Sequence, residues 1–231
     1  MAGGNLVRLG GICGLLSVIL MIPAYIVGYP DAPGSLSEAA SYFDEGIGAF
    51  VLWNGVFPLF HVFFFVWFLG ILHGMLRRAE GEAGGLSSAA LAGGVMFATL
   101  ASAGFAAEVL YPATLLRFEG FGQDTRLMLA SLTLSAWLYH LCQVGTAVLV
   151  SATSLLALET GVLPRWLALA GFVVALLALL HFLVPLLGAL AGLVWIAAVS
   201  ALMVAGSGGR SERSGRSGRS ERGPRRLSRD T

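Results

Sequence analysis

Between Leu163 and Ala205 lie 43 residues in which Arg165 is the only permanently charged side chain. Drawn as one helix at about 1.5 Å per residue, that run would be roughly 65 Å long. The hydrocarbon core of a bilayer is about 30 Å thick, so a single crossing uses only half of it. The run must therefore fold back on itself. Pro185 to Gly188 supplies the turn chemistry, which predicts two helices, over 164–184 and 187–205, joined as a tight hairpin.

Four further apolar runs precede it, and they place helices at about 9–27, 47–75, 86–111 and 126–158. The sequence is 57% hydrophobic and 12% charged, about half the charge of a typical soluble domain. A water-soluble globule must still cover itself with polar surface, whereas lipid removes that demand. The expected fold class is an all-α, polytopic transmembrane bundle of six helices. Arg8 followed by an apolar run also describes a signal peptide, but the run is long and no A-x-A site follows, so helix one reads as uncleaved. In the first loop Ser35 and Glu38 have capping-box spacing, which predicts a short amphipathic segment on the membrane surface.

Arginine placement sets the expected orientation. Arg8, Arg77, Arg78 and Arg165 fall on one side together with the tail, and the first loop holds Asp31, Glu38, Asp44 and Glu45 with no base. Both termini are then cytoplasmic, in a multi-pass protein of the cell (inner) membrane. Residues 206–231 form an Arg/Ser/Gly-rich stretch without apolar periodicity, expected to be a disordered cytoplasmic tail. From Ser207 on it carries eight arginines and three acids, which suits anionic lipid headgroups. No aromatic residue interleaves those arginines to stack on bases, so nucleic acid is not an expected partner. The chain contains no lysine, which excludes Schiff-base and lysine-nucleophile chemistry. Cys13 and Cys142 both lie in apolar runs and read as small packing residues.

Ala90, Gly94, Ala98, Ser102 and Ala106 recur every four residues along the third helix, a seam that lets another helix approach closely and places that helix centrally. Gly10 with Gly14, Gly70 with Gly74 and Gly188 with Gly192 give further pairs of the same spacing, serving either the bundle itself or a homo-oligomer. Tyr25, Tyr29, Trp53, Tyr111 and Trp166 fall near the predicted interfaces, as aromatic belts do.

Ionisable groups inside a bilayer are costly and usually face the bundle interior. The chain has five: His61, His73, Glu108, His140 and His181. Helical rise places His61 and His140 near the midplane, about 20 Å from the outer helix ends. Glu108 and His181 fall within about one turn of the outer surface, and His73 close to the inner one. Asn54, Pro58 and His61 share one stripe of helix two, while Thr133, Trp137, His140 and Gln143 share one of helix four. These residues define a candidate outward-facing pocket of Asn54, His61, His140 and Gln143, with Glu108 and His181 at its mouth. Pro58 is expected to kink helix two beside it. The competing reading is plain interhelical hydrogen bonding, at about 0.6 kcal/mol per contact.

No nucleophile elbow, phosphate loop or HExxH motif occurs, so no catalytic residue is named and enzymatic activity is not expected. No cofactor is expected either. Three functional classes follow. The first is a small-ligand or proton carrier or sensor built on the pocket. The second is a membrane-embedded haem or metal enzyme using His61 and His140. The third is a structural partner protein associating through small-residue seams.

The segment Gly161-Val162-Leu163-Pro164-Arg165-Trp166-Leu167-Ala168 and the opening Arg8-Leu9-Gly10-Gly11, followed by an acidic outer loop, are similar to features of a domain-of-unknown-function family. That family comprises small six-helix bacterial membrane proteins of actinobacterial type. The resemblance implies the six-helix layout and brings no functional residues with it. Physically, Pro164 starts helix five, Arg165 anchors it and Trp166 sits at the interface.

Overall fold

The computed structural model describes the backbone of residues 2–27, 35, 38, 46–122 and 124–217, and the side chains of 4–24, 35, 38, 46–122 and 124–206. Among these residues the chain is all helical, with six helices and no strand. They are α1 (Ala2–Val27), α2 (Ile47–Glu80), α3 (Gly85–Arg117), α4 (Thr125–Thr160), α5 (Arg165–Leu179) and α6 (Pro185–Ser217). Five of them, all but α5, are long and apolar enough to cross a membrane.

Several boundaries differ from the sequence reading for identifiable reasons. Helix α3 does not stop near Tyr111 but continues through Pro112 to Arg117. Tyr111 is consequently buried rather than part of an interfacial belt, and its hydroxyl accepts the Asp124 N–H at 2.8 Å. Asp124 in turn caps α4, its carboxylate accepting from Arg126 and Leu127 N–H at 3.0 and 3.1 Å. The turn between α5 and α6 occupies residues 180–184, ahead of Pro185 rather than after it. Pro185 becomes the first residue of α6, where its missing N–H costs nothing. Helix α6 remains helical to Ser217, into the arginine-rich stretch; the rest of the expected tail lies outside the described residues. The expected surface segment also lies largely outside them, apart from the Glu38 N–H donating to Ser35 Oγ at 3.2 Å.

Close contacts at glycines fix the packing. A Cβ added at Gly10 would strike Ile71 and Met203, and one at Gly14 would strike Phe68 and Ser200. Helix α1 therefore runs antiparallel to both α2 and α6. Gly93 and Gly145 bring the backbones of α3 and α4 together: a Cβ at Gly145 would lie 2.6 Å from the Phe97 nitrogen and 2.7 Å from the Gly93 carbonyl. The seam expected along α3 divides: Ala90, Gly94 and Ala98 are buried, with Gly94 packed against Leu69 of α2, while Ser102 is half-buried and Ala106 is exposed. The glycine pairs also divide: Gly70 meets nothing and Gly74 only its own Arg78 side chain. The central helix is α4 rather than α3, with 67% of its most apolar stretch buried against 39%.

Antiparallel neighbours place Arg8, Arg77, Arg78 and Arg165 at one end of the bundle. At that end the Glu80 carboxylate closes the α2–α3 turn by accepting the Leu86 and Ser87 N–H groups at 2.7 and 2.9 Å. His73 Nδ1 donates to the Ser87 carbonyl at 3.1 Å, a bracing role away from the other histidines.

The distribution of polarity completes the case for lipid as solvent. Outward-facing positions carry Leu59, Phe63, Trp137, Leu183 and Val194, all more than half exposed. The interior, besides a core of Phe65, Phe68, Leu72, Leu149 and Trp195, holds Ser17, Asn54, His61, Gln143, Thr153 and Ser200. An apolar exterior around a partly polar interior is unfavourable in water and suited to a bilayer.

Candidate functional site

The site begins with a local disturbance in α2. Pro58 has no N–H, so it cannot donate to the carbonyl of Asn54 four residues earlier. The helix responds over Leu52–Val56 by widening into a π-turn, with Phe57 N–H reaching the Leu52 carbonyl. Asn54 sits in that turn, is 2% exposed, and donates from Nδ2 to the Phe50 carbonyl at 3.2 Å. The same relation recurs in α3, where Pro112 withholds the helix donor from the Glu108 carbonyl.

Asn54 and Glu108, each four residues before a proline, line a cavity of about 60 Å³ between α1, α2, α3, α4 and α6. It has room for a few water-sized groups. Its polar wall consists of Asn54, His61, Glu108, Tyr139, Gln143, Thr146 and His181, and its apolar wall includes Met21, Phe97 and Phe105. His61 is held by α1: its Nδ1 lies 2.9 Å from the Ser17 carbonyl and 3.0 Å from Ser17 Oγ. A carbonyl only accepts, so Nδ1 carries the proton and the neutral ring keeps its lone pair on Nε2. Phe65 stacks on the ring, and Phe97 and Phe105 meet it edge-on. Tyr139 donates its hydroxyl to the Glu108 carboxylate, joining α4 to α3.

Gln143 is 7% exposed, and its Oε1 is buried without a hydrogen-bond partner. Its orientation follows from its neighbour. Cys142 donates its S–H to the Tyr139 carbonyl at 3.2 Å, so the sulfur can only accept from Gln143 Nε2, 3.9 Å away. The amide oxygen is thus the atom left over, on a residue of the cavity lining.

Of the residues singled out in the sequence, Asn54, His61, Gln143, Glu108 and His181 line this one cavity, and His140 does not. His140 instead faces His181, Nδ1 to Nδ1 at 2.9 Å, so one imidazole donates and the other accepts. It lies edge-on to Trp137 and Phe182. The polar stripe expected on α4 splits, because Thr133 and Trp137 are exposed on the outer surface. Glu108 lies about two and a half turns from the end of α3, deeper than expected, because the helix continues past Pro112. Ser17 and Tyr139 were not legible in the sequence: a serine or tyrosine in an apolar run carries no mark of the helix it faces.

Among the described residues no hydrogen bond or ring contact joins His61 to His140, and no three His, Cys, Asp or Glu side chains gather in a metal-binding group. A tetrapyrrole is far larger than the cavity. Comparisons with family models, curated proteins and solved structures return no match for this chain.

Proposed function

We propose that this chain is a multi-pass membrane protein of the carrier or sensor kind, which receives a small polar ligand in the cavity between α1, α2, α3, α4 and α6. One observation carries the reading: Gln143 lines the cavity and keeps a buried Oε1 with no hydrogen-bond partner. A buried polar atom left without a partner costs about 1–3 kcal/mol. That cost is recovered when a ligand or water supplies a donor. Hydrogen bonds between helices pair Ser17 with His61 and Tyr139 with Glu108, but leave this acceptor without a donor.

The arginine end of the bundle is the cytoplasmic side under the positive-inside rule, with both termini there. The cavity lies in the other half, since His61 and Glu108 are distant along their helices from Arg77 and Gly85. Ligand entry is then from the outer side.

The test is thermal melting of the purified chain in detergent against a panel of small polar solutes, alongside an Ala101→Leu variant that fills the cavity. At least one solute raises the melting temperature of the unmodified chain and fails to do so in the variant. An unchanged melting temperature across the whole panel would remove the reading.

A further inference from the structure

We propose that the cavity takes a small hydrogen-bond-donating cation of the ammonium class; this rests on the cavity being a ligand site, as above. The observation behind it is which hydrogen-bonding groups on the wall are already used. Asn54 Nδ2 is engaged by the Phe50 carbonyl, His61 Nδ1 by the Ser17 carbonyl and Gln143 Nε2 by the Cys142 sulfur. The Tyr139 hydroxyl is engaged by Glu108, and Thr146 Oγ1 by the Cys142 carbonyl at 3.5 Å. Besides His181, whose tautomer depends on His140, the side-chain donors still open on the wall are the second N–H groups of Asn54 and Gln143.

Acceptors are open as well. Gln143 Oε1 has no partner, His61 keeps a lone pair on Nε2, and the second oxygen of Glu108 lies beyond its bond to Tyr139. The charge balance points the same way. Glu108 is the one acid on the wall, no arginine shares the wall, and the chain has no lysine. A carboxylate in apolar surroundings demands a counter-charge. The faces and edges of Phe97, Phe105 and Tyr139 complete a lining that suits a cation with apolar substituents. An anion would meet the Glu108 carboxylate, and a neutral amide would leave it uncompensated. The volume of about 60 Å³ limits the occupant to a few heavy atoms.

Isothermal titration of the intact chain in detergent with methylammonium, formamide and acetate, three probes of similar size and different charge, decides the question. Methylammonium is expected to bind saturably and the other two not. Glu108→Gln is expected to weaken methylammonium binding about tenfold or more, and Gln143→Leu severalfold. The probe comparison stands on the unmodified chain even where a variant fails to fold. Binding of formamide or acetate in preference to methylammonium overturns the cation assignment and leaves the cavity as a ligand site. Methylammonium binding that survives Glu108→Gln undiminished also overturns the assignment. Binding of none of the three overturns it, and a flat melting panel alongside would take the ligand site with it.

Discussion

His61 on α2 donates from Nδ1 to the carbonyl of Ser17 on α1 at 2.9 Å, so a backbone oxygen of one helix sets the tautomer of a buried histidine on another. The Ser17 carbonyl belongs to a helix and keeps its own i+4 donor, so losing His61 strands no acceptor. Ser17 Oγ can then turn back to the carbonyl four residues earlier, at Cys13. His61→Leu, which suits the surrounding Phe65, Phe97 and Phe105, is expected to change stability by less than about 1 kcal/mol. Melting in detergent checks this, and a loss above about 3 kcal/mol would mark the histidine as a structural brace.

Tyr139 and Glu108 behave differently, because the carboxylate is left with fewer donors when the hydroxyl goes. Tyr139→Phe is expected to cost about 1–3 kcal/mol. Combined with Glu108→Gln, the loss should be smaller than the sum of the two by about 1 kcal/mol, as for groups in direct contact. Strict additivity in this double-mutant cycle would show that the two side chains do not act together.

The Gly93–Gly145 contact sets the spacing of α3 and α4. Gly145→Val drives a side chain into the Phe97 nitrogen and the Gly93 carbonyl, neither of which has a flexible end to move aside. The expected cost is about 3 kcal/mol or more, seen as loss of monodisperse protein on extraction. Gly70→Ala, at a glycine that meets nothing within 4 Å, is expected to stay within about 0.5 kcal/mol of the parent.

Pro58→Ala returns an N–H to the Asn54 carbonyl and removes the cause of the π-turn at Leu52–Val56. The regular helix that results rotates Asn54 away from the cavity. Melting temperature is expected to rise while methylammonium affinity falls about tenfold. A parallel fall in both would show that the proline supports the helix rather than the cavity.

Much of this architecture was legible because lipid makes demands that a single chain must answer openly. The over-long run from Leu163 to Ala205 forced a turn, and the scarcity of polar residues made His61, Asn54, Gln143, Glu108 and His181 conspicuous before they met on one cavity. Rotation and register between helices were not legible. The four-residue repeat at Ala90 to Ala106 looked like the seam of α3, yet the closest approach runs one position away, at Gly93. His140 occupied the expected depth but turned to His181, because only the α4–α5 packing decides which way that face points. Pro112 looked like an end to α3; a proline with a half-buried polar residue four positions earlier marked a continuing helix instead.

Occupancy of the cavity is read directly from a crystal structure of the full chain grown from a lipid phase with methylammonium present. Ordered density is expected in the cavity, bridging Glu108 and Gln143, with an atom within about 3.2 Å of Gln143 Oε1. A closed interior, in which Gln143 Oε1 accepts from a protein donor and Glu108 faces no added density, would contradict it.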